Sequence, residues 1–266
     1  MQIIDHGQPT DALVIPDAHT GPLDNLRRFE AVGNYIATHQ PPVIVQLGDW
    51  IDFGSLSSYD AGKKEFVFQN VQKDIESYHA AEEVMFAPML SQNKNLAKQK
   101  KAQYNPLYVK LIGNHEYRLE KLLDYEPRWA SPTINMNAFN SRQPINEVVC
   151  NFMNWITVDG VSYSHYWTSG VMGRPIGSAK LILAKKGVSC VQGHTHTYDW
   201  ASFTKPDGTR INAIIAGALL DPEYQGFGGP QVDRMYYSGI THLHEVKDGD
   251  FDLEMININR LLKEYL

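Results

Sequence analysis

The 266-residue chain carries ten histidines, and two of them stand at i and i+2 in Gln192-Gly193-His194-Thr195-His196-Thr197. Side chains alternate with period two in extended backbone, so this spacing predicts both imidazoles on one face, aimed at one small target. The glycine before them reads as the point where the chain bends. Partners of matching chemistry recur in Asp17-Ala18-His19, Gly48-Asp49-Trp50-Ile51-Asp52, Gly113-Asn114-His115-Glu116 and at His165. The candidate set is therefore Asp17, His19, Asp49, Asn114, His115, His165, His194 and His196. It takes five of the ten histidines, which scattered placement would not produce. Setting one residue aside for another role leaves seven donors: four imidazoles, two carboxylates and one amide. Seven donors with one carboxylate shared make two four-ligand sites, each completed by water. Nitrogen and oxygen donors without thiolate suit Mn²⁺, Fe, Zn²⁺ or Ni²⁺ better than Ca²⁺ or copper(I). Two such ions about 3.5–4 Å apart clamp the attacking and leaving oxygens of an in-line displacement at phosphorus.

Each group follows a short apolar run that reads as a buried strand. The runs are Ala12 to Pro16, Val43 to Leu47, Leu107 to Ile112, Val161 to Ser164 and Val188 to Val191. Carboxyl ends of strands are where open α/β sheets bind ligands. Leu26, Phe29, Val32 and Ile36 recur at helical spacing within Leu23 to His39, and Pro41-Pro42 ends that helix. Strand, helix and strand then form a parallel β-α-β unit. Further helices are predicted over Val71 to Met89 and Tyr117 to Asp124. A third spans Ala179 to Lys186, with Ser178 as its cap. The lysines of Ser91 to Lys101 read as a solvated helix face, with a phosphate-backbone contact as the functional alternative. Asp159-Gly160 marks a hairpin. The runs Trp200 to Thr204, Ile211 to Ala216, Ile240 to Val246 and Phe251 to Ile258 read as mainly antiparallel strands. One domain over 1–266 is expected, with helical or loop insertions around 55–105 and 126–150. The loops Ser55 to Lys64, Arg128 to Asn146 and Ser169 to Gly177 are expected to wall the site with Tyr59, Trp129, Trp167 and Arg174. His242-Leu243-His244 repeats the i, i+2 spacing inside a strand pattern and reads as a surface feature.

Composition sets outer limits. Hydrophobic residues make up 43%, enough for a full core, and no repeat or low-complexity tract is visible. A net charge of −6 argues against broad electrostatic binding of nucleic acid or anionic membrane. Two cysteines suit a reducing compartment. No signal peptide and no apolar run of about 18 residues is apparent, so a soluble cytoplasmic protein is expected. The assembly state is not legible.

The blocks Asp17-x-His19, Gly48-Asp49-x-x-Asp52, Gly113-Asn114-His115-Glu116, His165 and Gly193-His194-x-His196 resemble, in order and spacing, the calcineurin-like metallophosphoesterases. Gly113 to Arg118 and Asp221-Pro222-Glu223-Tyr224 also resemble phage- or prophage-type members. The resemblance implies a four-layer α/β/β/α sandwich of two mixed sheets flanked by helices, with a dinuclear metal centre, Mn²⁺ foremost. It implies Asp17, His19 and His196 on one ion, Asn114, His165 and His194 on the other, and Asp49 between them. A hydroxide shared by the ions would attack a phosphomonoester or small phosphodiester. His115 matches a histidine that contacts the scissile phosphate without ligating, and Asp52 and Glu116 read as acids that orient ligand and catalytic imidazoles. Family members often carry arginine where Phe53 stands, so Arg118 and Arg174 are the candidate substitutes. Two other readings compete. A nuclease of the same chemistry would need a basic or aromatic groove, which the acidic total disfavours. A scaffold that has lost catalysis is disfavoured because every ligand position is filled.

Overall fold

The computed structural model describes residues 2–57, 70–223 and 229–266. Tyr59, the rest of the expected loop from residue 58 onward, and Tyr224 lie outside them. In chain order the elements begin β1 Gln2–Ile4, β2 Thr10–Ile15, α1 Arg27–His39, β3 Val43–Gln46, α2 Val71–Lys98 and β4 Leu107–Leu111. They continue α3 Tyr117–Tyr125, β5 Asn146–Cys150, β6 Ile156–Val158, β7 Val161–Tyr163, α4 Ala179–Lys186 and β8 Ser189–Gln192. The last are β9 Tyr198–Thr204, β10 Arg210–Ala216, α5 Pro230–Asp233, β11 Gly239–Lys247, β12 Asp250–Asn257 and α6 Ile258–Tyr265.

Two mixed sheets result, ordered β1-β6-β7-β8-β10-β9 and β12-β11-β2-β3-β4-β5. Period-two alternation sorts their side chains. Ala12, Val14, Val43, Val45, Val109 and Leu111 of one sheet meet Ile156, Val158, Tyr163, Val191 and Ile214 of the other. On the opposite face of β2 and β3, Leu13, Ile15 and Ile44 pack against Phe29, Val32 and Ile36 of α1 and Ile75, Met85 and Phe86 of α2. Cys190, Ala213 and Ile215 pack against Ile182 and Leu183 of α4. Strands buried on both faces read as continuous apolar runs, which is how they were legible. The chain is thus α/β, two mixed sheets flanked by helices. Among the described residues, no helix is long and apolar enough to cross a membrane.

Several boundaries differ from expectation. α1 starts at Arg27, and Leu23 is left exposed. α2 continues through Pro88 to Lys98. Leu90 packs on the core beyond the proline, and the Asn93 side chain bonds the Tyr104 backbone at 2.7 and 2.9 Å. Those tertiary contacts hold a helix that propensity alone would end. The lysines that follow are exposed, as a solvated face should be. Ser178 stands at the start of α4, but its side chain makes no capping bond; Asp199 Oδ2 accepts the Ala179 N–H at 2.7 Å instead. β1, β5 and α6 were not anticipated. α6 begins where the Asn257 side chain accepts the Arg260 N–H at 2.9 Å, ending the strand early.

Candidate metal centre

Strand register assembles the site. β2 pairs with β3 through Ile15↔Gln46, and β3 with β4 through Gln46↔Lys110. The segments after these strands, at Asp17, Asp49 and Asn114, therefore lie side by side. In the other sheet β7 pairs with β8 through Tyr163↔Val191, and Gly193 N–H donates to the His165 carbonyl at 3.0 Å. The two sheets are tied at this edge by the His194 N–H, which lies 3.0 and 2.8 Å from the two Asp17 carboxylate oxygens. All eight predicted residues come together here.

The histidine pair is oriented differently from the extended-strand expectation. His194 and His196 have φ of 69° and 57°, in the left-handed region, as do His19 at 46° and Asp49 at 47°. For residues other than glycine such backbone costs about 1–3 kcal/mol each and persists where surroundings over-determine it, often at functional sites. The consequence is divergence. His196 joins Asp17 and His19, whereas His194 joins Asp49 and His165. Gly193 serves close approach as much as bending, because a Cβ there would overlap Asp17 Oδ1. Gly113 is required similarly by Asp49 Oδ1 and the Asp49 backbone.

In the first group His19 Nε2 lies 2.9 Å from His196 Nε2, and His196 Nε2 lies 3.4 Å from Asp17 Oδ2. In the second, His165 Nε2 is 2.9 Å from Asn114 Oδ1, 3.2 Å from His194 Nδ1 and 3.3 Å from Asp49 Oδ2. Asp49 also belongs with His19 and His115, so its carboxylate is shared across the cluster. His165 Nδ1 donates to the Leu47 carbonyl at 2.9 Å, which turns the Nε2 lone pair toward two oxygens and a nitrogen. Acceptors then face an acceptor unless a proton or a cation lies between them. Ligand bonds of about 2.0–2.2 Å to one ion place neighbouring donors roughly 3 Å apart, the spacing seen here. His19 Nδ1 and Asp52 Oδ1, buried and 3.4 Å apart, lack a well-formed hydrogen bond. Buried His and Asp groups able to hold a metal ion are present, and the donor set fits a divalent transition metal.

The electrostatics agree. Burial opposes ionisation of Asp17 and Asp49, but the imidazoles outweigh it and hold both carboxyls below the usual range, Asp49 well below. For His165, burial is outweighed by the Asp49 charge and hydrogen bond, which push it up to about 9. Burial and the neighbouring His165 push His194 down to about 4. Burial, with His115 nearby, also lowers His19. The pocket favours positive charge at His165 yet leaves His19 and His194 with free lone pairs.

Around the donors, His115 Nδ1 donates to the Asp52 carbonyl at 2.5 Å, and its Nε2 lies 3.8 Å from Asp49 Oδ2. Burial lowers the His115 pKa, but the Asp49 charge and the Asp52 hydrogen bond leave it raised overall. Arg118 NH2 lies 3.1 Å from that Nε2, while NH1 bonds the Asp52 and Phe53 carbonyls at 3.0 and 3.4 Å. Arg118 is therefore at the cluster. Arg174 is exposed, with no side-chain contact to the cluster among the described residues. Phe53 is fully buried against Phe139. Asp52 Oδ1 stands 3.4 Å from both His19 Nδ1 and His115 Nδ1, where an orienting acid should be. Glu116 differs from expectation: it orients backbone rather than imidazole. Its carboxylate accepts the N–H groups of Asp49, Trp50, Ile51 and Gly113 at 3.0, 2.8, 3.3 and 2.9 Å.

Trp167 and Trp129 differ from expectation. Trp167 is buried beside Trp155, and Trp129 bonds Glu126 from an exposed turn. Instead Tyr166 lies with its ring 4.6 Å from His194, and Tyr236 lies 4.9 Å from His196. Tyr166 adjoins His165 in sequence and could have been noted; Tyr236 carries no local signal. Comparison with family models and with curated proteins returns no match.

Proposed function

We propose that this chain is a dinuclear-metal phosphoesterase of the calcineurin-like type, acting on a phosphomonoester or small phosphodiester. The observation that supports it most is that the Asp49 carboxylate groups with His165 and His194 and also with His19, a member of the Asp17–His19–His196 group, on the carboxyl ends of strands from both sheets. Asp17, His19 and His196 would hold one divalent ion, Asn114, His165 and His194 the other, with Asp49 common to both. Two such ions supply, when bound, Lewis acidity toward a phosphoryl group and toward the water that attacks it.

The chain's own groups provide the rest. His115 is fixed through Nδ1 by the Asp52 carbonyl and turns Nε2 toward the cluster. Once the Arg118 NH2 group turns from Nε2 to the phosphoryl oxygens, a proton on Nε2 can pass to the leaving oxygen. The Arg118 guanidinium beside it binds equatorial phosphoryl oxygens as their charge develops. Glu116 keeps the Asp49 and Gly113 loops in register by holding their N–H groups. Tyr166 and Tyr236 flank the histidines. The lysines at the end of α2 are solvated and make no contact with the cluster among the described residues. That agrees with a small ester rather than a nucleic acid.

The test is a substrate panel under Mn²⁺: a nitrophenyl monoester, the bis-ester, a cyclic nucleotide and single-stranded DNA, each with wild type and Asp49→Asn. Turnover of the small esters, abolished in Asp49→Asn, is expected. Equal rates in the two proteins would reject the reading, and DNA cleavage falling steeply with salt would replace it with a nuclease.

A further inference from the structure

His242 is not on the surface, contrary to what its spacing with His244 suggests; of the two, only His244 is half-exposed. β11 lies between β12 and β2, so it is an interior strand, and Tyr35 of α1 covers its outer face. His242 is 1% exposed, and its Nε2 has no hydrogen-bond partner among the described residues. That nitrogen points toward Asp11 of β2, 3.7 Å from Oδ2. His244 Nδ1 lies 3.3 Å from the same oxygen. The three donor atoms lie within 4.8 Å of one another.

What surrounds these atoms fixes their orientation. Glu245, at a bulge in the β11–β2 ladder, donates its N–H to Asp11 Oδ1 at 2.9 Å and so presents Oδ2 to the histidines. The far nitrogen of each imidazole has an oxygen partner. His242 Nδ1 lies 2.7 Å from the Tyr35 hydroxyl, and His244 Nε2 lies 3.3 Å from Glu254 Oε2. Glu254 is held in turn by Arg260 at 2.9 Å. With the N–H groups placed on those far nitrogens, both lone pairs face Asp11. This is how proteins orient ligand histidines, through an acceptor on the other ring nitrogen.

We propose that Asp11, His242 and His244 form a further metal site, binding one borderline divalent transition ion such as Zn²⁺. Two imidazoles and a carboxylate make three of the four ligands such an ion takes. The Asp11 and His244 side chains are 38% and 34% exposed, so water reaches the fourth position. The site is separate from the strand-tip cluster. Six residues of extended chain, about 20 Å at roughly 3.3 Å per residue, separate Asp11 from Asp17. Its role is to clamp β11 onto β2, the strand that delivers Asp17.

The test uses the full chain, stripped with chelator and titrated with Zn²⁺ by calorimetry and by thermal unfolding. Wild type is compared with Asp11→Asn/His244→Gln, which alters only half-exposed side chains. Wild type should bind one more equivalent than the double variant and gain more Tm from Zn²⁺. Tyr35→Phe should keep that equivalent but weaken it by roughly 10–100-fold. Equal stoichiometry in wild type and the double variant overturns the proposal. So does an extra equivalent that disappears only when Asp49 is replaced.

Discussion

Two buried charged clusters draw on residues only four apart, at the carboxyl end of β4 and in its following loop, and they are built on opposite principles. On the helix-covered face, Lys110 is fully buried, with Nζ 3.0 Å from Glu82 Oε1, 3.4 Å from Glu147 Oε2 and bonded to the Phe139 carbonyl. The rings of Tyr78 and Tyr108 lie beside it at 5.0 and 5.6 Å. Here the chain supplies both signs of charge, and a donor meets acceptors. Four residues on, at Asn114, the carboxylates of Asp17 and Asp49 and the imidazoles of His19, His165, His194 and His196 converge on one another. The first cluster carries its own counter-charge, Lys110 against Glu82 and Glu147; the second is one that a cation could complete. Burial of charge therefore does not by itself mark a functional site. An excess of acceptors over donors is what makes the second cluster able to hold a cation.

The comparison can be broken from either side. His115→Gln should lose roughly 10²–10⁴ in turnover, the worth of a positioned acid–base group, while metal content stays unchanged. A steady-state assay paired with metal analysis checks this, and loss of an ion would make His115 a ligand. Esters with a good leaving group should suffer less. Lys110→Met should do the converse, costing about 3–5 kcal/mol of stability by leaving Glu82 buried and unpaired. Adding Glu82→Gln should restore most of that in denaturant titrations, and the metal bound per folded molecule should not move. A smaller effect is expected from His79 on α2, whose pKa burial and nearby Arg142 lower to about 4. Its unfolded value is about 6.5. Protonation thus favours the unfolded chain, and this contribution, present above about pH 6.5, is lost as pH falls toward 4. Between pH 7 and pH 5, wild type should lose more Tm than His79→Gln. An equal or greater loss in the variant would show that His79 stays neutral at no cost.

How much was readable in the sequence follows from the same distinction. The strand tips were legible because buried parallel strands are continuous apolar runs, and the residue types that follow each run are few. Which way His194 and His196 turn was not, since nothing in Gly193-His194-Thr195-His196 announces left-handed backbone at both histidines. Glu116 was marked as an orienting acid, but its work on four backbone N–H groups depends on the Asp49 loop lying alongside, a tertiary fact. His242 was misjudged for a related reason: a strand's depth depends on its neighbours in the sheet, not on its own alternation. β5 and α6 were missed because Asn146 and Glu147 mask the apolar half of an edge strand, and because the Asn257 cap lies inside what reads as strand.

The claim that the strand-tip cluster is completed by cations is tested most directly by anomalous diffraction from crystals grown with Mn²⁺. Two peaks about 3.5–4 Å apart are expected, with the Asp49 carboxylate between them, His19 and His196 at one and His165 and His194 at the other. No peak among these side chains, in crystals where the cluster is ordered, would contradict it.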